Sequence, residues 1–137
     1  MESLAAALVF VWLGMVLAIS FMEAPLKFRA PGLELRVGLA VGRIVFRALN
    51  TAEVALGVAI AVALLAGDPE TVGVVGYLVA AVVLIAQLAA VRPALKKRSD
   101  AVLAGHEGPR SHAHFWYVGL EVVKVAALVV AGAGLLA

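Results

Sequence analysis

The chain has 137 residues, of which 64% are hydrophobic, and its mean hydropathy is +1.07. A soluble domain is usually about half apolar, and a chain of this length cannot bury so much apolar surface in its own core, so the composition favours an integral membrane protein. The net charge is only +2. Cysteine is absent, and its absence excludes disulfides, cysteine-ligated zinc and thiol chemistry.

Apolar stretches long enough to cross a hydrocarbon layer of ~30 Å as helices occur four times in the chain. The first follows the acidic flank Met1-Glu2-Ser3 and is longer than a signal-peptide core, so we expect a permanent helix. The sequence therefore predicts one all-α membrane domain, a four-helix bundle, over residues 1–137. The four spans lie at about 4–22, 38–66, 71–91 and 115–136.

The basic residues orient the predicted spans. Ten of the eleven Lys and Arg side chains lie in or beside the connections between spans one and two and between spans three and four, whereas the turn between spans two and three carries only Asp68 and Glu70. The positive-inside rule makes the basic side cytoplasmic. We therefore expect an up-down-up-down bundle in the cytoplasmic (inner) membrane, with cytoplasmic segments at 23–37 and 92–114 and both termini on the non-cytoplasmic side.

The two cytoplasmic segments are predicted to lie at the level of the lipid headgroups. Pro25 and Pro31-Gly32 should prevent one continuous helix in the first segment, where Lys27 and Arg29 would contact anionic lipid. In the second, residues 92–104 should extend span three as a short exposed helix. Its Lys96-Lys97-Arg98 run is interpreted as a topology and lipid anchor, and we expect no nucleic-acid partner.

Span two is predicted to have two different faces. With 100° of rotation per residue, Arg43, Arg47, Asn50 and Glu53 fall within an arc of about 120°. The opposite face carries a seam of small residues, which let membrane helices approach one another closely. These small residues are Ala48, Ala52, Ala55, Ala59 and Ala63.

Span four repeats the polar stripe. His114, Tyr117, Glu121 and Lys124 lie within roughly 80° of arc. Glu121 and Lys124 are three residues apart, which is close enough for an ion pair.

The polar residues of the two stripes should reach the same depth in the membrane. At 1.5 Å per residue, Glu53, Glu121 and Lys124 lie about 9–14 Å below the cytoplasmic interface. A lone charge at mid-bilayer costs at least about 2.5–3.5 kcal/mol, so mutual pairing inside the bundle is favoured. The sequence therefore predicts one buried polar cluster. Its nine members are Glu23, Arg43, Arg47, Asn50, Glu53, His114, Tyr117, Glu121 and Lys124.

Such a cluster has two interpretations, and the sequence leaves both open. Buried pairs can fix helix register without touching any ligand. Ionisable groups in a membrane also mark ion pathways and binding sites. Outside the predicted cluster, we interpret Gln87 as a structural amide that hydrogen-bonds across the bundle, and Trp12 as a packing or lipid-facing ring.

Metal, haem and enzyme chemistry find little support in the sequence. His112 and His114 are two residues apart and do not share a helical face, and no other span carries a histidine that could complete a haem site. A metal site that joins them to His106 or Glu107 on an extended segment is the lesser alternative. No phosphate loop, nucleophile–base pair or zinc-helix motif is present. We expect no cofactor, no metal and no enzymatic activity.

The C-terminal half contains a string of motifs with a family resemblance. These are Arg92-Pro93, the basic helical stretch after it, a glycine, and the series His114, Tyr117, Glu121, Lys124; the first half fits more loosely through "SFMEAPLKF" and "GRIVFRALNTAE". The chain thereby resembles a family of small four-helix membrane proteins, the bacterial relatives of the transmembrane protein 205-like group. The resemblance implies a four-helix membrane bundle and supplies no activity, catalytic residue or cofactor.

The sequence thus favours a small membrane protein whose charged cluster binds or passes a small polar or ionic species. It could act as a homo-oligomer, because four helices leave little room for a pore within a single copy. An auxiliary or scaffold subunit of a larger membrane complex, with a purely structural cluster, is the main alternative. A membrane enzyme acting on lipid or quinone is the third.

Overall fold

The structure, a computed structural model, describes residues 1–105 and 112–137, with all side chains except those at 112 and 113. The secondary structure of the described part is entirely helical. The helices are α1 (Glu2–Val16), which continues through a π-helical segment (Leu17–Glu23) into α2 (Ala24–Lys27); α3 (Leu35–Ala66); α4 (Thr71–Ala86), which continues through a second π-helical segment (Gln87–Val91) into α5 (Arg92–Leu103); and α6 (His112–Leu136).

The described part of the chain contains four helices that are long and apolar enough to cross a membrane. This confirms the predicted all-α class with four candidate spans. The candidate spans are Glu2–Lys27, Leu35–Ala66, Thr71–Leu103 and His114–Leu136.

The first helix continues past its predicted boundary at Met22 as far as Lys27. Pro25 does not interrupt it, because it lies just after the π-helical segment, and local π-helical adjustments accommodate a proline within a membrane-type helix. The chain turns instead at Pro31-Gly32, where Gly32 adopts a φ of +79°.

The segment after the third span is helical as predicted, but it is less exposed than expected. Ser99 and Val102 of α5 are buried, and α5 contacts both α3 and α6. Gly105 follows with a φ of +94°. The rest of the predicted turn, residues 106–109, and the basic residue Arg110 lie outside the described residues.

The helices alternate in direction, which gives the bundle two distinct ends. At one end, which we call the acidic end, the carboxylate Oε1 of Glu2 accepts a hydrogen bond of 2.6 Å from the backbone N–H of Asp68. At the other, the basic end, Arg43 of α3 pairs with Asp100 of α5 at 2.8 Å. Most Lys and Arg residues lie at the basic end, as the spacing of the charges predicts.

Near the acidic end, glycines bring α4 and α6 into backbone contact. A Cβ atom at Gly76 would lie 2.6 Å from the backbone N of Ala131, and one at Gly134 would lie 2.7 Å from the backbone N of Gly73. Real Cβ atoms do not approach backbone atoms so closely, so these positions accept only glycine without movement. Small residues at a helix interface are typical of membrane bundles.

The predicted alanine face of α3 is not a packing face. Ala48, Ala55 and Ala59 are exposed, Ala52 is half-buried, and only Ala63 is buried. The reason lies in the order of helices in the bundle: α3 packs on α1 and makes only weak contact with α4, its neighbour in sequence. The side of α3 that carries these alanines therefore lacks a partner helix among the described residues.

The apolar core occupies the part of the bundle nearer the acidic end. α1 packs against both α3 and α6, and α4 packs on α6. Among the described residues on that side of Glu53, the buried side chains are apolar. They include Val9 of α1, Ile60 and Leu64 of α3, Ala80 and Leu84 of α4, and Leu128, Ala131 and Leu135 of α6.

Candidate polar site

Lys124 of α6 is fully buried and is the centre of a polar site inside the bundle. Its Nζ lies 2.5 Å from Oε2 of Glu53 and 2.6 Å from Oε1 of Glu121. It also donates a hydrogen bond of 2.9 Å to Oε1 of Gln87. An ammonium group has three N–H donors, so Lys124 has no donor left over.

Glu121 is held by side chains from three helices. Its Oε1 accepts from Lys124 and, at 3.2 Å, from Nε2 of Gln87. Its Oε2 accepts a hydrogen bond of 2.6 Å from the hydroxyl of Ser20. Both oxygens of this carboxylate are therefore bonded.

Glu53 is also fully buried, but only one of its two carboxylate oxygens accepts hydrogen bonds. Its Oε2 accepts from Lys124 and, at 2.8 Å, from the indole N–H of Trp12. Its Oε1 is buried and has no hydrogen-bond partner in the structure. We refer below to the polar cluster, which consists of Trp12, Ser20, Glu53, Gln87, Glu121 and Lys124.

The two π-helical segments each supply one member of the polar cluster. Ser20 lies in the segment Leu17–Glu23, and Gln87 is the first residue of the segment Gln87–Val91. A π-helical turn is wider than an α-helical turn, redirects the side chains after it, and is frequent at functional sites. Each segment thus contains a polar side chain of an otherwise apolar span that donates a hydrogen bond to Glu121.

The charges of the polar cluster do not balance. Two carboxylates face one ammonium, which leaves one net negative charge when all three groups are ionised. Two further side-chain ion pairs, Glu23 with Lys27 and Arg43 with Asp100, lie at the basic end and do not involve the polar cluster.

Three of the nine residues predicted to cluster lie together in the polar cluster: Glu53, Glu121 and Lys124. Tyr117 lies one turn from Glu121 and is buried, and its backbone oxygen accepts a hydrogen bond of 3.4 Å from Gln87. Asn50 is buried one turn from Glu53 on α3.

The other four predicted residues lie nearer the basic end. Glu23 is 3.7 Å from Lys27, and Arg43 pairs with Asp100. Arg47 is exposed. The ring of His114 makes an edge-to-face contact with Phe115, with 5.7 Å between ring centroids. Long charged side chains at a span end reach headgroups or water more cheaply than they enter the bundle interior.

Sequence reasoning missed three members of the polar cluster or gave them lesser roles. Gln87 bonds across the bundle as its interpretation as a structural amide requires, but its partners are the charged groups themselves. The indole of Trp12 packs in the core and also donates to Glu53. A buried indole N–H needs a hydrogen-bond acceptor, so the position of Trp12 in an apolar span indicated a polar partner inside the bundle. Ser20 is a lone hydroxyl in an apolar span, and only its π-helical backbone reveals its direction.

An apolar groove of about 300 Å³ opens between α3 and α4, the two consecutive helices that touch weakly. Trp12, Val58 and Leu84 are among its lining residues. The hydroxyl of Tyr77 spans the gap and donates a hydrogen bond of 2.8 Å to the backbone oxygen of Gly57. Trp12 thus touches both the groove and the polar cluster.

The described residues contain no group of three or more His, Cys, Asp or Glu side chains that could hold a metal ion. His106, Glu107 and the side chain of His112, on which the alternative metal site depended, lie outside the described residues.

No protein-family model, curated protein or solved structure matches this chain. The resemblance to the bacterial relatives of the transmembrane protein 205-like group therefore stays a prediction.

Proposed function

We propose that this protein binds or passes a small polar or ionic species at the polar cluster, within a membrane, and that Glu53 receives it. The observation that carries the proposal is the buried, unbonded Oε1 of Glu53 in a cluster with one net negative charge. A charge left alone at mid-bilayer costs at least about 2.5–3.5 kcal/mol. Binding of a positive species, or of a hydrogen-bond donor, at Oε1 would remove that cost.

The apolar core closes the acidic-end side of the polar cluster, so we propose access from the basic end. On that side, Tyr117 of α6 contacts the ring of Phe46 edge-on at 5.8 Å, and the guanidinium of Arg92 lies 5.8 Å from the same ring. On the other side lies the apolar core. If the basic end is cytoplasmic, as the positive-inside rule implies, the species enters from the cytoplasm. Passage to the other side would require the apolar half to open.

The proposal can be tested by electrical recording from protein reconstituted in liposomes on a solid support. Stepwise changes in the concentration of protons, Na⁺ or K⁺ should displace charge in the wild-type protein. Glu53→Gln should abolish the signal for the species bound, because it removes the negative charge and keeps the shape. Its thermal unfolding midpoint should stay close to that of the wild type.

Tyr77→Phe is the matched control, since it removes a polar group from the span region but outside the polar cluster. It should retain the signal. A Glu53→Gln protein that keeps the full signal would contradict the proposal.

The second candidate is a scaffold or auxiliary subunit whose polar cluster only fixes helix register. Two observations favour it: every donor of Lys124 is satisfied, and α3 carries an exposed alanine face that another membrane protein could cover. Under this function, Glu53→Gln would prevent folding or expression, and other subunits would co-purify with the wild-type protein in mild detergent.

A further inference from the structure

We infer that the species held at rest is a single proton, bound to Glu53 as a neutral carboxyl group. The inference deepens the proposed function, since it names the species that the same site receives. Its support is a count of charges and donors around two carboxylates, and each step of that count uses side chains of the described residues.

The first step is the charge that faces the two carboxylates from each helix. The first span contributes Trp12 and Ser20, α3 adds Asn50 one turn from Glu53, and the third span contributes Gln87, all of which are neutral. α6 contributes Lys124, which is the one cation of the described residues within ion-pair distance of either carboxylate. The phenol of Tyr117, also buried on α6, is neutral at physiological pH. One unit of positive charge is therefore missing.

The second step is the nature of that charge. A bound metal cation needs several oxygen ligands around it. Among the carboxylate and amide oxygens of the polar cluster, Oε1 of Glu53 is the one that accepts no hydrogen bond, because both oxygens of Glu121 and the side-chain oxygen of Gln87 already do. A proton needs one oxygen only. The geometry therefore favours a proton over a metal ion.

The third step is the choice between the two glutamates. Glu121 accepts three hydrogen bonds spread over both oxygens, from Lys124, Gln87 and Ser20, and these stabilise its ionised form. Glu53 accepts two, both on Oε2. A proton on Oε1 of Glu53 removes the excess charge and leaves both bonds to Oε2 intact. Glu53 is therefore the neutral partner and Glu121 the ionised one.

Infrared spectroscopy of the full-length protein in lipid at neutral pH can count the protons. A protonated carboxyl group has a C=O stretching band at higher frequency than an ionised carboxylate, and the band shifts in D₂O when its proton exchanges. We expect the equivalent of one such band in the wild type. Glu53→Gln and Glu121→Gln should each lose it, since one carboxylate then balances Lys124. Lys124→Met should double it, because two carboxyl groups then remain without a cation.

Two conservative variants assign the band to one of the two glutamates. They remain informative even when the variants that change a charge do not fold. With the proton on Oε1 of Glu53, Oε2 is the carbonyl oxygen and accepts from Trp12. Trp12→Phe removes that donor, so the band should move to higher frequency. Ser20→Ala removes a donor from Glu121 and should leave the band in place.

The outcomes separate this inference from the proposed function. A wild-type protein without the band, or a band that moves in Ser20→Ala and not in Trp12→Phe, overturns the inference. If the band is absent while Na⁺ or K⁺ displaces charge, the proposed function stands and the species is not a proton. If the band behaves as expected and no ion displaces charge, the proton is resident and the proposed function fails.

Discussion

The half of the bundle near the acidic end and the half near the basic end pack by different means, although the same helices form both. Near the acidic end, Gly73 and Gly76 of α4 and Gly134 of α6 allow backbone to touch backbone, and the buried side chains are apolar. Towards the basic end, π-helical segments widen two of the spans and the buried side chains include charges. Close packing excludes polar groups, whereas widened turns accommodate them. The polar cluster lies where the two regions meet.

The largest effect should come from the polar cluster. Lys124→Met leaves Glu121 without its counter-charge, and removing one partner of a buried ion pair costs about 3–5 kcal/mol. We expect the thermal unfolding midpoint in detergent to fall sharply. The Glu121→Gln/Lys124→Met double variant should recover part of the loss, because the two side chains are coupled. If the double variant loses as much free energy of unfolding as the two single variants together, or more, the pair is not the source of the effect.

The close-packed half should be the next most sensitive. Gly76→Ala places a methyl group against the backbone of Ala131, which cannot turn aside as a side chain could. Overpacking of this kind costs about 1–3 kcal/mol, measured as a loss of thermal or denaturant stability.

Gly14→Ala is the matched control for the close-packed half, because a Cβ at Gly14 meets nothing within 4 Å. It should raise stability by roughly 0.5–1 kcal/mol, since glycine is the poorer helix former. Equal effects of the two substitutions would show that α4 and α6 do not pack as closely as described.

The smallest effect should come from the ion pairs at the basic end. Arg43→Ala breaks the pair with Asp100, whose side chains are 37% and 52% exposed. Exposed pairs contribute about 0–1 kcal/mol, so the unfolding midpoint should hardly change, and any change should shrink as salt is added. A loss as large as that of Lys124→Met would mean that the charges of the basic end and of the polar cluster form one network.

The angular and depth arguments applied to the sequence were enough to bring Glu53, Glu121 and Lys124 together. Each is a charged residue well inside an apolar span, where the cost of an unpaired charge leaves few arrangements. Ser20 and Gln87 could not be oriented in the same way, because the sequence pattern assumes 3.6 residues per turn and both lie in π-helical segments.

The alanine face of α3 shows a second limit of sequence reasoning. The helical period identifies which residues share a face, but it does not tell which face has a neighbour. α1, rather than α4, is the main partner of α3, so Ala48 and Ala55 remain exposed. The position of Pro25 was a third limit, since a proline that breaks a regular α-helix is tolerated just after a π-helical segment.

The ion pair between Glu53 and Lys124 joins residues 71 positions apart in the chain. At ribosomal rates of 5–20 residues per second, Glu53 is made about 4–14 s before its cation exists. Trp12, which is made earlier, is the partner it can meet during that delay. The hydrogen bond between Trp12 and Glu53 is therefore the part of the polar cluster that can form first, and α6 supplies its cation afterwards.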